Sequence, residues 1–192
     1  MKIILVTLAF CALITTSRGQ SALITNKAEK KDAAGEIDPK KKIATNILSY
    51  KLAHTFSKAL KECGLVETFD NPGPISIFLP TDSAFSKLSV GRIDTLLMPQ
   101  NKYNLISLLT YHALPGNVRA KDIAKHIKRG KGKTSLHTIA GAWLIAEFNN
   151  NGDIILTDEK GGKATLLENN IKQQNGMIHL ISEVLMPNFR SI

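Results

Sequence analysis

Ser76-Ile77-Phe78-Leu79-Pro80-Thr81-Asp82-Ser83-Ala84-Phe85 is the stretch on which the fold turns. Ile75 to Leu79 is a short apolar, β-prone run. Pro80, which has no backbone N–H to give to a ladder, ends it. The length is that of a strand and the composition that of a buried one. Thr81, Asp82 and Ser83 follow at once, and their side-chain oxygens are expected to accept the free N–H groups of a new helical turn, with Phe85 and Leu88 as its apolar contacts. A strand that is apolar throughout needs partners on both of its faces, so the rest of the chain is read for what covers it.

Upstream, apolar residues recur every three or four positions from Ile43 through Ile47, Leu48, Leu52, Phe56 and Leu60 to Leu65, which predicts a helical stretch stopped at Gly64. Cys63 falls on its apolar face with Phe56, Leu60 and, one turn earlier, Leu52, and is expected to be a buried thiol. Downstream, Ile93, Leu96 and Leu97 predict one helix before Pro99. Tyr103, Ile106 and Leu109, with Leu105 and Leu108, predict another that ends at Tyr111-His112 and the turn Pro115-Gly116. Ala120 to Ile127 reads as a short amphipathic helix. From Ser135 the period becomes that of strands: Trp143–Phe148 and Ile154–Leu156 form a hairpin around Asn149-Asn150-Asn151-Gly152, and Thr165–Leu167 and Met177–Leu185 complete the sheet. Helices first and an antiparallel sheet second make an α+β layout.

The chain has 192 residues with 25 Lys+Arg against 16 Asp+Glu, a formal net charge of +9. That length suits one domain with attachments and buries enough surface to fold without a disulfide framework or structural metal. Two cysteines exclude a disulfide-stapled scaffold and a Cys-rich zinc module. Lys2, the apolar run Ile3–Ile14 and the small residues Ser17 and Gly19 have the order of a signal peptide, cut after residue 19. The run is too short for a permanent membrane span. A retained anchor and a lipid-modified Cys11 are the other readings, and Phe10 is too bulky to precede a lipidated cysteine. Cleavage would lower the charge to +7, leave Cys63 as the sole cysteine and place the mature chain in the periplasm or outside the cell. Residues 20–42 mix six lysines with four acids and no apolar period, and read as a solvated tether, so the domain is expected at 43–190. No Asn-x-Ser/Thr sequon is present.

Three ordered segments resemble the fasciclin-type (FAS1) domain family: the opening stretch quoted above, Leu109-Thr110-Tyr111-His112 with Pro115-Gly116, and Asn175-Gly176-Met177-Ile178-His179-Leu180-Ile181 with Val184, Leu185 and Pro187. The resemblance implies a twisted β-wedge flanked by helices, a role in binding at cell surfaces or in extracellular matrix, and no cofactor. In animal matrix members an Asp-Ile stretch and the Tyr-His region are associated with integrin contact. Tyr111, His112, Asn170 and Ile171 are therefore carried over as partner-contact candidates, although Asn170 stands where the acid would be and speaks against an integrin-type contact.

Other candidates come from the residues themselves. His112 and His179 each sit inside an apolar pattern, where an imidazole is expected to bond to backbone rather than to act as ligand or base. His54, His126 and His137 have no zinc-motif spacing, and neither a Gly-x-Ser-x-Gly elbow nor a phosphate loop is present, so no enzyme is expected. Asn175-Gly176 is read as a turn that uses glycine at positive φ. Lys121, Lys125, Lys128, Arg129, Lys131 and Lys133 form a cluster interrupted only by the acid Asp122, with Gly130 and Gly132 expected to make it flexible. Such a cluster attracts polyanions. Sulfated or uronic polysaccharide, anionic lipid headgroups and nucleic acid are the candidates, with a merely solvated helix end and loop as the other reading; nucleic acid is the weakest, since export removes the protein from it and no aromatic residue is interleaved for stacking, and the expected partner is a cell-surface or matrix protein or an anionic polysaccharide. A non-catalytic adhesion or binding module is thus expected. A self-associating structural surface protein and an exported hydrolase are the alternatives.

Overall fold

The computed structural model describes residues 37–71 and 73–189, so the expected signal peptide, Cys11 and most of the tether lie outside the described residues. The helical stretch from Ile43 is not one helix but two, α1 (Ile43–Ser49) and α2 (His54–Cys63), followed beyond Gly64 by α3 (Val66–Asp70). Tyr50 is extended, and α2 restarts where an acceptor waits for its free N–H groups: the Asp82 carboxylate takes Thr55 N–H at 2.8 Å and His54 N–H at 3.0 Å. Leu52 consequently lies in the turn between the helices and is exposed, not on the face that carries Cys63. The opening stretch is corrected in the same way. Asp82 serves a helix that begins 28 residues earlier, and the Thr81 and Ser83 hydroxyls bond to each other at 2.8 Å instead of capping α4 (Asp82–Phe85).

The quoted apolar run is β1 (Ile75–Pro80). After α4 come α5 (Arg92–Leu97), a 3-10 turn (Pro99–Asn101), α6 (Lys102–Tyr111), β2 (Ala113–Pro115) and α7 (Ala120–Arg129). Strands β3 (Lys133–His137), β4 (Trp143–Phe148), β5 (Ile154–Thr157), β6 (Lys163–Gln173) and β7 (Gly176–Ile181) follow. All seven strands form one sheet in the order β2-β1-β7-β6-β5-β4-β3, in which only β1 and β7 run parallel. The fold is a mixed α+β one. On α6 the buried face is Leu105, Leu108 and Leu109, and Tyr103 is exposed. β6 runs well past Leu167, through two register irregularities, at Leu166/Glu168 and Glu168/Ile171, that interrupt the alternation by which a strand is recognised. β7 stops at Ile181, and Val184, Leu185 and Met186 are buried beyond it without strand pairing.

Period-two alternation divides the core. Ile77, Leu79, Ile178 and Leu180 point into a cluster with α1, α2, α3 and α6, while Phe78 and Ile181 point into a second one with Leu136, Leu144 and Leu156 under Ile123 and Ile127 of α7. Central strands are thereby covered on both faces. At the β3 edge only one face is covered, and Ser135, His137 and Trp143 stay open to solvent. Closure comes at Asn175-Gly176. Asn175 accepts from Ile43 N–H at 2.9 Å and donates to the Phe69 carbonyl at 2.8 Å. Gly176, at φ 155°, packs where a Cβ would collide with the Ile75 carbonyl oxygen, so the expected need for glycine is a need for close approach as well as for positive φ. Ahead of α1, Ile37 packs on the core, Asp38 N–H donates to Asn46 Oδ1 at 3.1 Å, and Lys41 C=O accepts from Gln174 N–H.

Two substitutions check this architecture by urea unfolding. Phe78→Ala, which empties a site in the second core cluster beside the His179 ring of the neighbouring strand, is expected to cost about 3–5 kcal/mol. Asp82→Ala, which frees the N-terminus of α2, is expected to cost about 1 kcal/mol.

Candidate functional site

Tyr111 and His112 leave the C-terminal end of α6 pointing inward, and both are fully buried. Tyr111 Oη–H donates to the Trp143 carbonyl at 2.9 Å and its oxygen accepts from Glu159 N–H at 3.2 Å. Burial pushes its phenol above the ordinary range. His112 Nδ1 lies 2.8 Å from the Leu108 carbonyl, which can only accept, and Nε2 lies 3.1 Å from Leu185 N–H, which can only donate. The ring is therefore neutral, protonated on Nδ1, and burial lowers its pKa to about 4. His179 is the mirror case, with Nε2–H donating to the Val118 carbonyl at 2.8 Å and Nδ1 accepting from Asn170 N–H at 3.2 Å, and burial lowers its pKa too. Both imidazoles hold backbone. The Tyr-His region thus belongs to the interior, and as partner-contact candidates Tyr111 and His112 are corrected: a side chain with no exposed surface does not touch a partner.

Asn170 and Ile171 sit in the irregular part of β6. Asn170 is left-handed (φ 60°), which aims its amide across the sheet to α7, where Oδ1 accepts from Ala120 N–H at 2.9 Å. Its side chain is already engaged as the N-terminal acceptor of α7, a duty a carboxylate could also perform. Ile171 is half-buried against the first core cluster.

The basic residues gather differently. Ile123 and Ile127 turn one side of α7 into the core, and Lys121, Lys125 and Lys128, three or four residues apart, make a stripe on the exposed side with Arg129 next to it. A shallow groove of about 540 Å³ runs along them over Ala124. Asp122 is neutralised by Arg119, whose Nε lies 2.9 Å from its carboxylate, so the one acid of the helix does not oppose the stripe. The loop beyond is built rather than flexible. Gly130 packs so closely that a Cβ would strike the Lys133 carbonyl oxygen, Gly132 N–H donates to the Ile127 carbonyl at 2.9 Å, and Lys131 takes φ 55°. Lys133 then starts β3, in register with Glu147, whose carboxylate is paired with Lys163 at 3.0 Å. One neighbour of this cluster was not legible in the sequence. The β3–β4 register brings His137 against Trp143, ring centroids 4.7 Å apart.

Other chemistry finds little support in the geometry. Asp82 reaches His54 Nδ1 at 3.1 Å, yet it is spent on the N-terminus of α2; burial raises its pKa, and the hydrogen bonds from Thr55 and His54 outweigh that and hold it low. Among the described residues no hydroxyl or thiol hydrogen-bonds to a histidine ring, and no three His, Cys, Asp or Glu side chains gather as for a metal ion. Cys63 is a free buried cysteine, and burial pushes its thiol up to about 11, away from the thiolate a nucleophile needs. No helix among the described residues is long and apolar enough to cross a membrane.

A pH dependence follows from His112. Below pH 6.5 the unfolded chain protonates this residue, while the folded domain does not until about pH 4. Stability therefore falls as pH drops from 6.5 toward 4, by roughly 3 kcal/mol over the whole window, with His179 acting in the same direction. Urea midpoints between pH 7 and 4.5 measure it. A flat profile there would contradict a neutral, buried His112.

The fasciclin domain model matches residues 51–187. The protein sll1483 of Synechocystis is 32% identical over 133 residues, covering 69% of this chain and 66% of that protein. Human stabilin-1 is 29% identical over 150 residues, 78% of this chain but only 5% of stabilin-1. Of solved structures, a FAS1 domain pair from the insect cell adhesion molecule Fasciclin I superposes with a TM-score of 0.67 at 19% identity, over 77% of this chain and 51% of that one. The matched span runs from the turn before α2 to the end of the second core cluster, and with it the chain belongs to the fasciclin domain family.

Proposed function

We propose that this domain is a non-catalytic binding module that acts in adhesion at a cell surface or in extracellular matrix after export, and that it takes an anionic polysaccharide on the exposed stripe of α7. The observation that carries this is the alignment of Lys121, Lys125, Lys128 and Arg129 on one side of a helix whose other side is core and whose single acid is already paired. At about 1.5 Å per residue the stripe is about 12 Å long, and Lys131 and Lys133 continue it. A linear polyanion laid along it exchanges its counterions for fixed ammonium and guanidinium groups, so attraction is long-ranged and falls with salt. Family membership supports a surface role, as does the fold shared with a domain pair of an insect cell adhesion molecule.

Neutralising Lys125, Lys128, Arg129 and Lys131 to Gln together is expected to leave the unfolding midpoint nearly unchanged, because all four are exposed. On a heparin column the variant should elute at clearly lower salt than the parent. Equal elution would assign the cluster to solubility and refer the binding surface elsewhere.

A further inference from the structure

Trp143 stands out among the exposed side chains. It is the only tryptophan in the chain, it is 53% exposed, and yet it is held in place from two directions. Its backbone carbonyl accepts the hydrogen bond of buried Tyr111, which fixes the start of β4 to the core. Its ring lies against that of His137, directly opposite on β3. An exposed indole costs the folded chain a large apolar surface left in water, and one fixed in a single orientation is suited to receiving a flat apolar partner.

This ring stands on the face of the sheet opposite the one that α7 covers, and the basic cluster reaches that face through Lys133. The end of α7 is clamped to the start of β3 by the close approach of Gly130 to the Lys133 carbonyl, so the cationic track passes from Arg129 and Lys131 onto Lys133 at the corner of the sheet. Along β3, Lys133, Ser135 and His137 share the uncovered face, and at about 3.3 Å per residue His137 is about 13 Å from Lys133. Glu147 lies opposite Lys133 and is paired with Lys163, so two cations face it, and Glu159, whose N–H shares the Tyr111 hydroxyl with the Trp143 carbonyl, has its carboxylate engaged by Asn188 N–H at 2.9 Å. The route thus offers positive charge first, a hydroxyl at Ser135, and an indole backed by an imidazole at its end.

We infer that the polyanion site of α7 continues around the β3 edge to a sugar-stacking platform made by Trp143 and His137, and that its ligand is an acidic polysaccharide whose pyranose rings, not only whose charges, are recognised. This rests on the proposed function of the α7 stripe and adds the chemical class. A pyranose presents a face of axial C–H groups that packs flat on an indole while its sulfate or carboxylate groups point sideways, and one chain of such rings matches both parts of the route. Polyphosphate carries the charge without the ring. Nucleic acid carries charge and a stacking base, but its phosphates recur at every residue and the platform offers only one stacking position.

Since Trp143 is the sole tryptophan, its fluorescence reports on the platform alone. Titrating the full chain with heparin oligosaccharide is expected to shift its emission to shorter wavelength, whereas inorganic polyphosphate of matched charge should bind and leave the emission unmoved. Trp143→Ala is expected to weaken heparin binding roughly tenfold, to leave polyphosphate binding within twofold and to leave the dependence on salt unchanged, with His137→Ala between the two proteins. Heparin binding that neither moves the emission nor responds to Trp143→Ala would overturn the platform and leave the α7 stripe standing. Equal losses for heparin and polyphosphate would overturn the ring recognition. Single-stranded DNA binding more tightly than heparin, with the larger emission change, would overturn the assignment to polysaccharide. A parent that binds none of the three at low salt would overturn the stripe and the platform together.

Discussion

The rest of the domain depends on the parallel pairing of β1 with β7. It joins two stretches of sequence far apart in the domain, and every helix of the first half contributes to the core cluster into which Ile77, Leu79, Ile178 and Leu180 point. The pairing is possible because Gly176 has no side chain to meet the Ile75 carbonyl. Asn175, one residue before, spends its amide on Ile43 N–H and the Phe69 carbonyl, so a single side chain fixes the beginning of α1, the end of α3 and the start of the closing strand. Contacts at such separation form late and cooperatively, since the loop between them must be closed before they return any energy.

A second rule of construction follows from the same topology. None of the helices α1, α2 and α7 takes its N-terminal acceptor from its own N-cap side chain; in α7 the Asp122 carboxylate, three residues further on, accepts from Arg119 N–H. α1 uses Asn175 and Asp70, α2 uses Asp82, and α7 uses Asn170. Elements and their order were legible in sequence because hydrophobic period is a local property, and the strand Ile75–Pro80, the hairpin of β4 and β5 and the helix after Arg119 all fall where the pattern put them. The break between α1 and α2 was not legible. Apolar recurrence continues straight through Leu52, and the feature that divides the helices is a carboxylate nearly thirty residues away.

The site divides along the same line. That Phe78 and His179 are interior, and that the lysines of residues 121–133 are exposed, can be read from neighbours in sequence, because burial of alternate residues is written in the period. The inward turn of Tyr111 and His112 follows from the same apolar pattern, and the motif resemblance pulled against it; the buried hydrogen bonds to Trp143, Leu108 and Leu185 decide between the two. The approach of Trp143 to His137 is a matter of strand register, which no local pattern of this chain specifies, and two glycines in sequence suggest a flexible loop where a backbone contact at Gly130 shapes it.

The clamping of α7 at both ends, by Asn170 at its start and by Gly130 against β3 at its finish, leaves the middle of the helix with little structural duty beyond burying Ile123 and Ile127. Its outward positions are thereby released from the requirements of folding. Cations crowded at three- and four-residue spacing would loosen a free helix, but here the sheet holds the helix and absorbs their repulsion. A lineage carrying this domain can exchange those residues one at a time, altering the charge of the surface while the wedge beneath keeps its shape, so the surface is able to diverge faster than the architecture.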